Sequence, residues 1–570
     1  MPDTHYWSSR ISRRGVLRGA AIGGAGLAGA ALIGCGSSSK PAASNAPAGA
    51  AAGANGAPAG EQPVLSDAFV MVQTRDAVSL EPLDANVYTV PERSGLVYPR
   101  ILSTILTDPK DFTSTKFVPS YAISGMEVGN NGAQLTFKVK PGVKYPSIAP
   151  LNGRDFTSED MKYSINRYMT HPKSTFQARF SDIASMETPD KQTLVIKLKS
   201  PSRYIISSLA AETALMTPPE TDDKSDGYKK VAIGPGPFIH DQYLQGEGST
   251  LHKNPDFIDA KNVWYNKYLI KVITDAATRN AALKTSNIDF IDSPGLTPSD
   301  VKTMQGQSVV IYPIVSSSTT NTTWNMNNPR WKDYRLRLAM SKAFDRQAYI
   351  DQTLQGAGRW SGIVPVDQGK PALSEAEVKA SNVQKYDPAE AKKLWDAAGG
   401  EPNRNVEYWF NSSGTTDKLQ LELMAQQWKT NLGINVTLKT EDYSIFLPKM
   451  YLGALGPGGG YQDMYTTTYG IPNWMEHLFA PYLKGGNRNG SNFFDQKVED
   501  MMADLKGTLD DAQAFEKSRK IQQYIWDNHL PMTQRPIAVA SGAYNSKLRN
   551  FNPGNYPPGM EWMINSWKAK

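Results

Sequence analysis

Two periods run through the 570-residue chain. A period of two appears in QLTFKV, where Leu135, Phe137 and Val139 alternate with polar residues before Pro141-Gly142, which predicts a strand entering a turn. TLVIKLK, Thr193 to Lys199, reads the same way. Between them, FTSEDMKYSINRYM has the helical period. Thr157 or Ser158 can cap it, Glu159 and Asp160 fall in its first turn, and Met161, Ile165 and Tyr168 share one face. Further on, the run from Asp333 to Leu354 predicts one long amphipathic helix with Leu336, Ala339, Met340, Ala343 and Phe344 on its apolar side. Asp387 to Gly400 predicts a capped helix ending on glycine. KLQLELMAQQWKTNLGINVTLKT predicts a helix that stops at Gly433 and feeds a strand from Ile434 to Leu438, and a last helix is expected at about Ala512 to Asn528. Strands alternating with helices in this way predict a mixed α/β body.

The first 63 residues follow a different pattern. Arg13 and Arg14, within SRRGVLR, precede an apolar run from Ala20 to Gly34 that is too short and glycine-rich to favour a spanning helix, which fits a twin-arginine export signal. Leu32, Ile33, Gly34 and Cys35 resemble a bacterial lipobox, so the single cysteine of the chain is expected to carry lipid and not to form a disulfide. Gly24, Gly26 and Gly29 have GxGxxG spacing but lie inside the apolar run of the signal, with no strand before them, so they are not a dinucleotide fingerprint. The stretch to Pro63 is Ala, Gly, Pro, Ser and Asn, a tether with an r.m.s. reach of roughly 30 Å.

Composition narrows the function classes. The net charge is +6, and residues 1 to 34 contain Arg10, Arg13, Arg14, Arg18 and Asp3, so the remainder carries 57 basic against 54 acidic residues. No field favours nucleic acid. The six histidines include no pair at helix-face spacing and no cysteine lies in the body, so neither a metal site nor a cofactor is expected. There is no GxSxG, no HExxH and no phosphate loop with its lysine. An exported enzyme is the remote alternative, and GALGPGGGYQD at 453–463 reads as a flexible connection.

The order of five segments carries a resemblance. LTFKVKPGVKYP with NGRDFTSEDMKYSINR, then VAIGPGPFIHDQY with HKNPDF, RLRLAMSKAFDRQAYI, YDPAEAKKLWDAAG, and LGINVTLKT resemble the solute-binding lipoproteins of peptide-type ABC importers, family 5 of the bacterial extracellular solute-binding proteins. The resemblance implies an α/β, two-lobed, three-subdomain periplasmic-binding-protein-like fold with hinge strands between the lobes. It also implies a monomer that closes on a solute and presents it to an ABC permease. The expected divisions are a signal at 1–34 and a lipidated cysteine with linker at 35–63. Lobe I is expected at 64–318 with an inserted subdomain at about 106–200, lobe II at 319–515, and a return to lobe I at 516–570. The protein is expected on the outer face of the cytoplasmic membrane, held by its lipid.

The resemblance also implies site residues. TVPERS places Thr89 and Val90, beside Tyr88, at the first lobe's ligand edge, and TTTYG places Thr468, Tyr469 and Gly470 at the facing edge. Tyr443 matches an aromatic position of the pocket. The family's acid for a peptide amino group and its carboxylate-assisting arginine fall on Pro472 and Thr466, so capture of a free peptide N-terminus is in doubt. A slip of the alignment would offer Asp463 or Glu476 instead. The expected solute is a peptide, with oligosaccharide as the alternative, stacked on Trp474, Trp409 and Tyr88.

Overall fold

The computed structural model describes residues 61–570 apart from 75, 78, 85–88, 109–110, 175, 222–231, 305, 307, 315–317, 402–404, 412–414, 454–459, 471–472, 552 and 554–562. The export signal, Arg13, Arg14, Cys35, Tyr88, Pro472 and most of the glycine-rich connection lie outside the described residues.

The first lobe is built on a seven-stranded sheet. Its spatial order is Val309–Ile314, Ala540–Asn545, Phe290–Leu296, Ser66–Gln73, Tyr265–Val272, Gly248–Lys253 and Phe238–Leu244. Ser66–Gln73 pairs in parallel with both its neighbours, and the remaining pairs are antiparallel. Phe69, Tyr268 and Phe551 pack ring against ring beneath the central strands. An inserted subdomain adds a four-stranded antiparallel sheet from Ile123–Gly129, Gln134–Val139, Thr193–Leu198 and Ile183–Asp190. The alternation in QLTFKV does what its period requires, since Leu135, Phe137 and Val139 are buried. The Ser158–Thr170 helix lies on this sheet with Met161, Ile165 and Tyr168 inward, and Asp160 accepts hydrogen bonds from the Thr157 backbone N–H and hydroxyl at 2.8 and 3.1 Å.

The second lobe is built on a five-stranded sheet ordered Asn435–Glu441, Asn405–Asn411, Met464–Gly470, Ser318–Trp324 and Met532–Gln534. The helix Thr415–Leu432 crosses between the parallel strands Asn405–Asn411 and Asn435–Glu441, and it ends at Gly433, whose φ of +74° suits glycine. Trp324, Trp331, Trp395, Trp428 and Trp526 are fully buried here. Each is worth about 3 kcal/mol of hydrophobic burial, so most tryptophans in this lobe serve its core.

The run from Asp333 to Leu354 is two helices and not the single one that its periodicity predicts: Tyr334–Lys342 and Arg346–Thr353. The Asp345 side chain accepts from the backbone N–H groups of Gln347 and Ala348, both at 3.0 Å, and so starts a new helix inside an unbroken apolar pattern.

The chain passes between the seven-stranded and five-stranded sheets from Val309–Ile314 to Ser318–Trp324 and back from Met532–Gln534 to Ala540–Asn545. Ile521, Ile525 and Trp526 share one core with Trp324 and Trp428, and Met532–Gln534 pairs with Ser318–Trp324.

Candidate functional site

The strand Met464–Gly470 ends where the lobes meet. Its pattern leaves Thr468 exposed, Tyr469 buried and Gly470 half-buried. Pairing with Ser318–Trp324 sets Thr319 opposite Tyr469 and Ser318 opposite Gly470. The helix Tyr443–Leu452 brings Tyr451 alongside. The Tyr451 hydroxyl donates to the Thr468 carbonyl at 3.4 Å, and its ring stacks on Tyr469 with centroids 6.1 Å apart. Tyr469 in turn donates its hydroxyl to the Arg488 carbonyl at 3.0 Å. The Arg488 guanidinium then lies 4.9 Å from the Tyr451 ring centre and 6.0 Å from that of Tyr469.

The residues that follow this strand meet the inserted subdomain. Asn473 donates to the Ser207 hydroxyl at 2.6 Å. Two residues after Trp474, Glu476 accepts a hydrogen bond from Arg179 Nη2 at 2.8 Å, its other oxygen lies 2.8 Å from Nε, and Arg179 also donates to the Thr213 hydroxyl at 2.6 Å. Arg179 and Glu476 are both buried. Burial, the largest influence on Arg179, opposes its charge, yet the nearby groups, Glu476 foremost with Tyr204 and Glu212, more than offset it and raise the guanidinium above its ordinary range. Tyr204 meets Phe479 edge-on at 5.0 Å, and burial followed by the Glu476 charge pushes its hydroxyl far above the usual tyrosine range. Glu212, buried beside Arg179, is pushed up by burial toward its neutral form. At the rim, Lys506 reaches Asp182 and Arg203 reaches Asp511, both at 2.6 Å.

The expected site residues are distributed as follows. Thr468, Tyr469 and Gly470 come together with Tyr451 and Arg488 on the second lobe. Trp474 lies on the same seam but already meets Phe515 edge-on at 5.9 Å. Thr89 and Val90 open the short helix Thr89–Ser94 in the first lobe, where Val90 is core and the buried Thr89 hydroxyl has no hydrogen-bond partner. Tyr443 begins its helix, and its side chain lies outside the described residues. Trp409 stacks on Tyr461 at 5.3 Å within a small satellite core.

The two substitute acids are both engaged. Asp463 pairs with Arg330 at 3.0 Å and accepts from Trp331, Asn328 and the Glu407 backbone, tying three segments of the second lobe. Glu476 is held by Arg179. Neither has a free carboxylate for a ligand ammonium. Thr466, at the expected arginine position, receives Arg535 Nη2 at 3.2 Å, so a guanidinium reaches that place from the crossing segment. Arg179, Arg488 and Arg535 carry no local sequence signal of such a role. Among the described residues no group of three or more His, Cys, Asp or Glu side chains is placed to hold a metal, and no helix is long and apolar enough to cross a membrane.

The model of the bacterial extracellular solute-binding proteins, family 5 Middle, matches residues 116–490. The chain belongs to this family. It is 28% identical over 427 residues to a putative ABC transporter peptide-binding protein of Brucella ovis, covering 70% of this chain and 76% of that one. Among solved structures it is similar to the ABC transporter-associated periplasmic binding protein DppA from Helicobacter pylori, in complex with peptide STSA, at TM-score 0.73 and 18% identity, covering 89% of this chain and 99% of that one. It is equally similar, at TM-score 0.73 and 19% identity, to the binding protein AgaA of Agrobacterium tumefaciens in complex with agropinic acid, covering 88% and 99%. The two-lobed fold is that of this family of solute-binding proteins.

Proposed function

We propose that this solute-binding protein captures a peptide between its lobes and hands it, in the closed form, to the permease of an ABC importer. The observation that carries the reading is the seam itself. Glu476 of the second lobe and Arg179 of the inserted subdomain are far apart in sequence and complete each other only when the lobes are together. A solute touching both sides would favour that state by its differential affinity for it. The peptide assignment takes support from the name of the Brucella ovis relative and from the peptide bound in the Helicobacter pylori structure. The oligosaccharide alternative is weaker, since Trp409 already stacks on Tyr461 and Trp474 already meets Phe515 edge-on.

In this reading lobe I comprises the seven-stranded sheet and its inserted subdomain, lobe II runs from Ser318 to Gln534, and the protein acts as a monomer. Export through the Arg13-Arg14 signal and lipid on Cys35 would hold it at the outer membrane face behind its tether. Native mass spectrometry of protein purified without denaturant tests the ligand class. A ladder of peptide masses is expected, and a hexose-spaced mass would overturn the assignment. Cys35→Ser should release the protein from membranes, and retention would defeat the anchor.

A further inference from the structure

Three acidic groups along the seam are already paired, while one of its cations is not. Glu476 is engaged by Arg179, Asp182 by Lys506 and Asp511 by Arg203. Arg488 enters no ion pair among the described residues, and its Nη1 is shielded from solvent without a hydrogen-bond partner. Its charge acts on Tyr204 across the seam, which places it at the junction and not on an outer face. Nor is its position accidental: Tyr469 holds its backbone carbonyl, and the Tyr451 and Tyr469 rings flank its guanidinium. Ring faces stabilise a cation modestly, but they leave its in-plane N–H donors unsatisfied, and those donors match a carboxylate in fork geometry.

We propose that Arg488 is the seat of a carboxylate on the solute, so that this seam recognises the acidic end of its ligand and not an amine. The inference rests on the binding reading above and narrows its solute class. Without that carboxylate, the closed form keeps the shielded Nη1 donor of Arg488 without a partner, which penalises closure. With it, the closed state gains a charge-assisted pair that the open state lacks. The carboxylate can come from a peptide C-terminus or from a sugar acid.

The test uses ligand-stripped, refolded full body and four probe sets: short peptides as free acids, the same peptides N-acetylated, the same peptides C-amidated, and oligogalacturonates against their methyl esters. Affinity is read by native mass spectrometry, and compaction by small-angle scattering. The expected result is that acetylation changes little and that amidation weakens binding by about tenfold or more. R488Q should erase the distinction and R488K should keep part of it, both melting like wild type when empty. Loss on acetylation without loss on amidation would overturn the inference while leaving peptide binding intact. Arg488-dependent binding of uronates alone would keep the inference and reject the peptide. If neither acid class binds better than its uncharged counterpart, or if R488Q keeps the preference, Arg488 is not the seat.

Discussion

The two lobes accommodate buried arginines by different means. In the first lobe Arg167 and Arg93 face carboxylates, Arg167 in a bidentate pair with Glu81 at 2.8 and 2.7 Å and Arg93 with Asp76 at 2.7 Å, whereas Arg279 donates to the carbonyls of Ile273 and Thr274. In the second lobe Arg346 is enclosed by the carbonyls of Ser341 at 3.0 Å and Gln384 at 2.9 Å and by the hydroxyls of Ser341 and Thr533. Arg337 likewise donates to the carbonyls of Trp331, His529 and Leu530. Without a countercharge, burial lowers Arg346 to about 9 and Arg337 to about 10. The seam uses the first lobe's method with one difference: its acid and base come from different lobes. A cation enclosed by carbonyls of its own lobe is a permanent part of a core, whereas Arg179 has its countercharge only while the lobes are together.

The sharpest way to break this contrast is Arg346→Ala. It strands several carbonyls and a hydroxyl pair that a truncated side chain cannot reach, so a loss of about 4 kcal/mol in unfolding free energy is expected by urea titration. A loss below about 1 kcal/mol would mean that water replaces the guanidinium and that the second lobe's arginines are not structural.

His240 sharpens the comparison from the first lobe. It is buried near Arg93, and burial, then that charge, lowers it to about 4, against a small opposing pull from Asp241. Its folded value is below the unfolded one of about 6.5, so the unfolded chain binds the extra proton first. Stability is therefore full above about pH 6.5, falls as pH drops toward 4, and loses about 3 kcal/mol in all from this group. His240→Gln should flatten that part of the profile relative to wild type, and parallel profiles would show that the imidazole does not titrate in this window.

What the sequence makes legible follows from the range of each interaction. Thr157 and Asp160 cap a helix three residues apart, and Gly433 ends one at its own φ, so both could be read locally. Asp345 was in principle readable as a cap, but an unbroken apolar stripe outweighs it in any periodicity argument, and the split of that helix was missed. Arg179 and Glu476 are 297 residues apart, and no spacing rule connects them. The site was half legible for the same reason. TTTYG marks a strand end by resemblance, but the arginine beside it comes from a loop whose path only the tertiary fold sets.

Glu476→Gln tests whether the seam is conditional. In the closed form it leaves Arg179 desolvated with a neutral partner, a penalty that opening removes. Solute affinity should fall by about tenfold or more, while the empty protein unfolds within about 1 kcal/mol of wild type. The pair Arg179→Met with Glu476→Leu should recover closure, because a packed apolar contact carries no unpaired charge. Equal loss in affinity and stability would make the pair an ordinary core contact.

The smallest effect belongs to the rim. Lys506 and Asp182 also join the lobes, but the lysine is 27% exposed, and Asp182 keeps the Ser202 hydroxyl at 2.6 Å when the lysine is removed. A pair of this kind is screened by salt and costs side-chain entropy to hold, so Lys506→Gln should change solute affinity by less than about 1 kcal/mol. That difference should shrink further in high salt, whereas the Glu476→Gln loss should not, since its partner is out of reach of screening ions. If Lys506→Gln matched Glu476→Gln in size and salt response, closure would depend on charge spread over the whole seam and not on one buried pair.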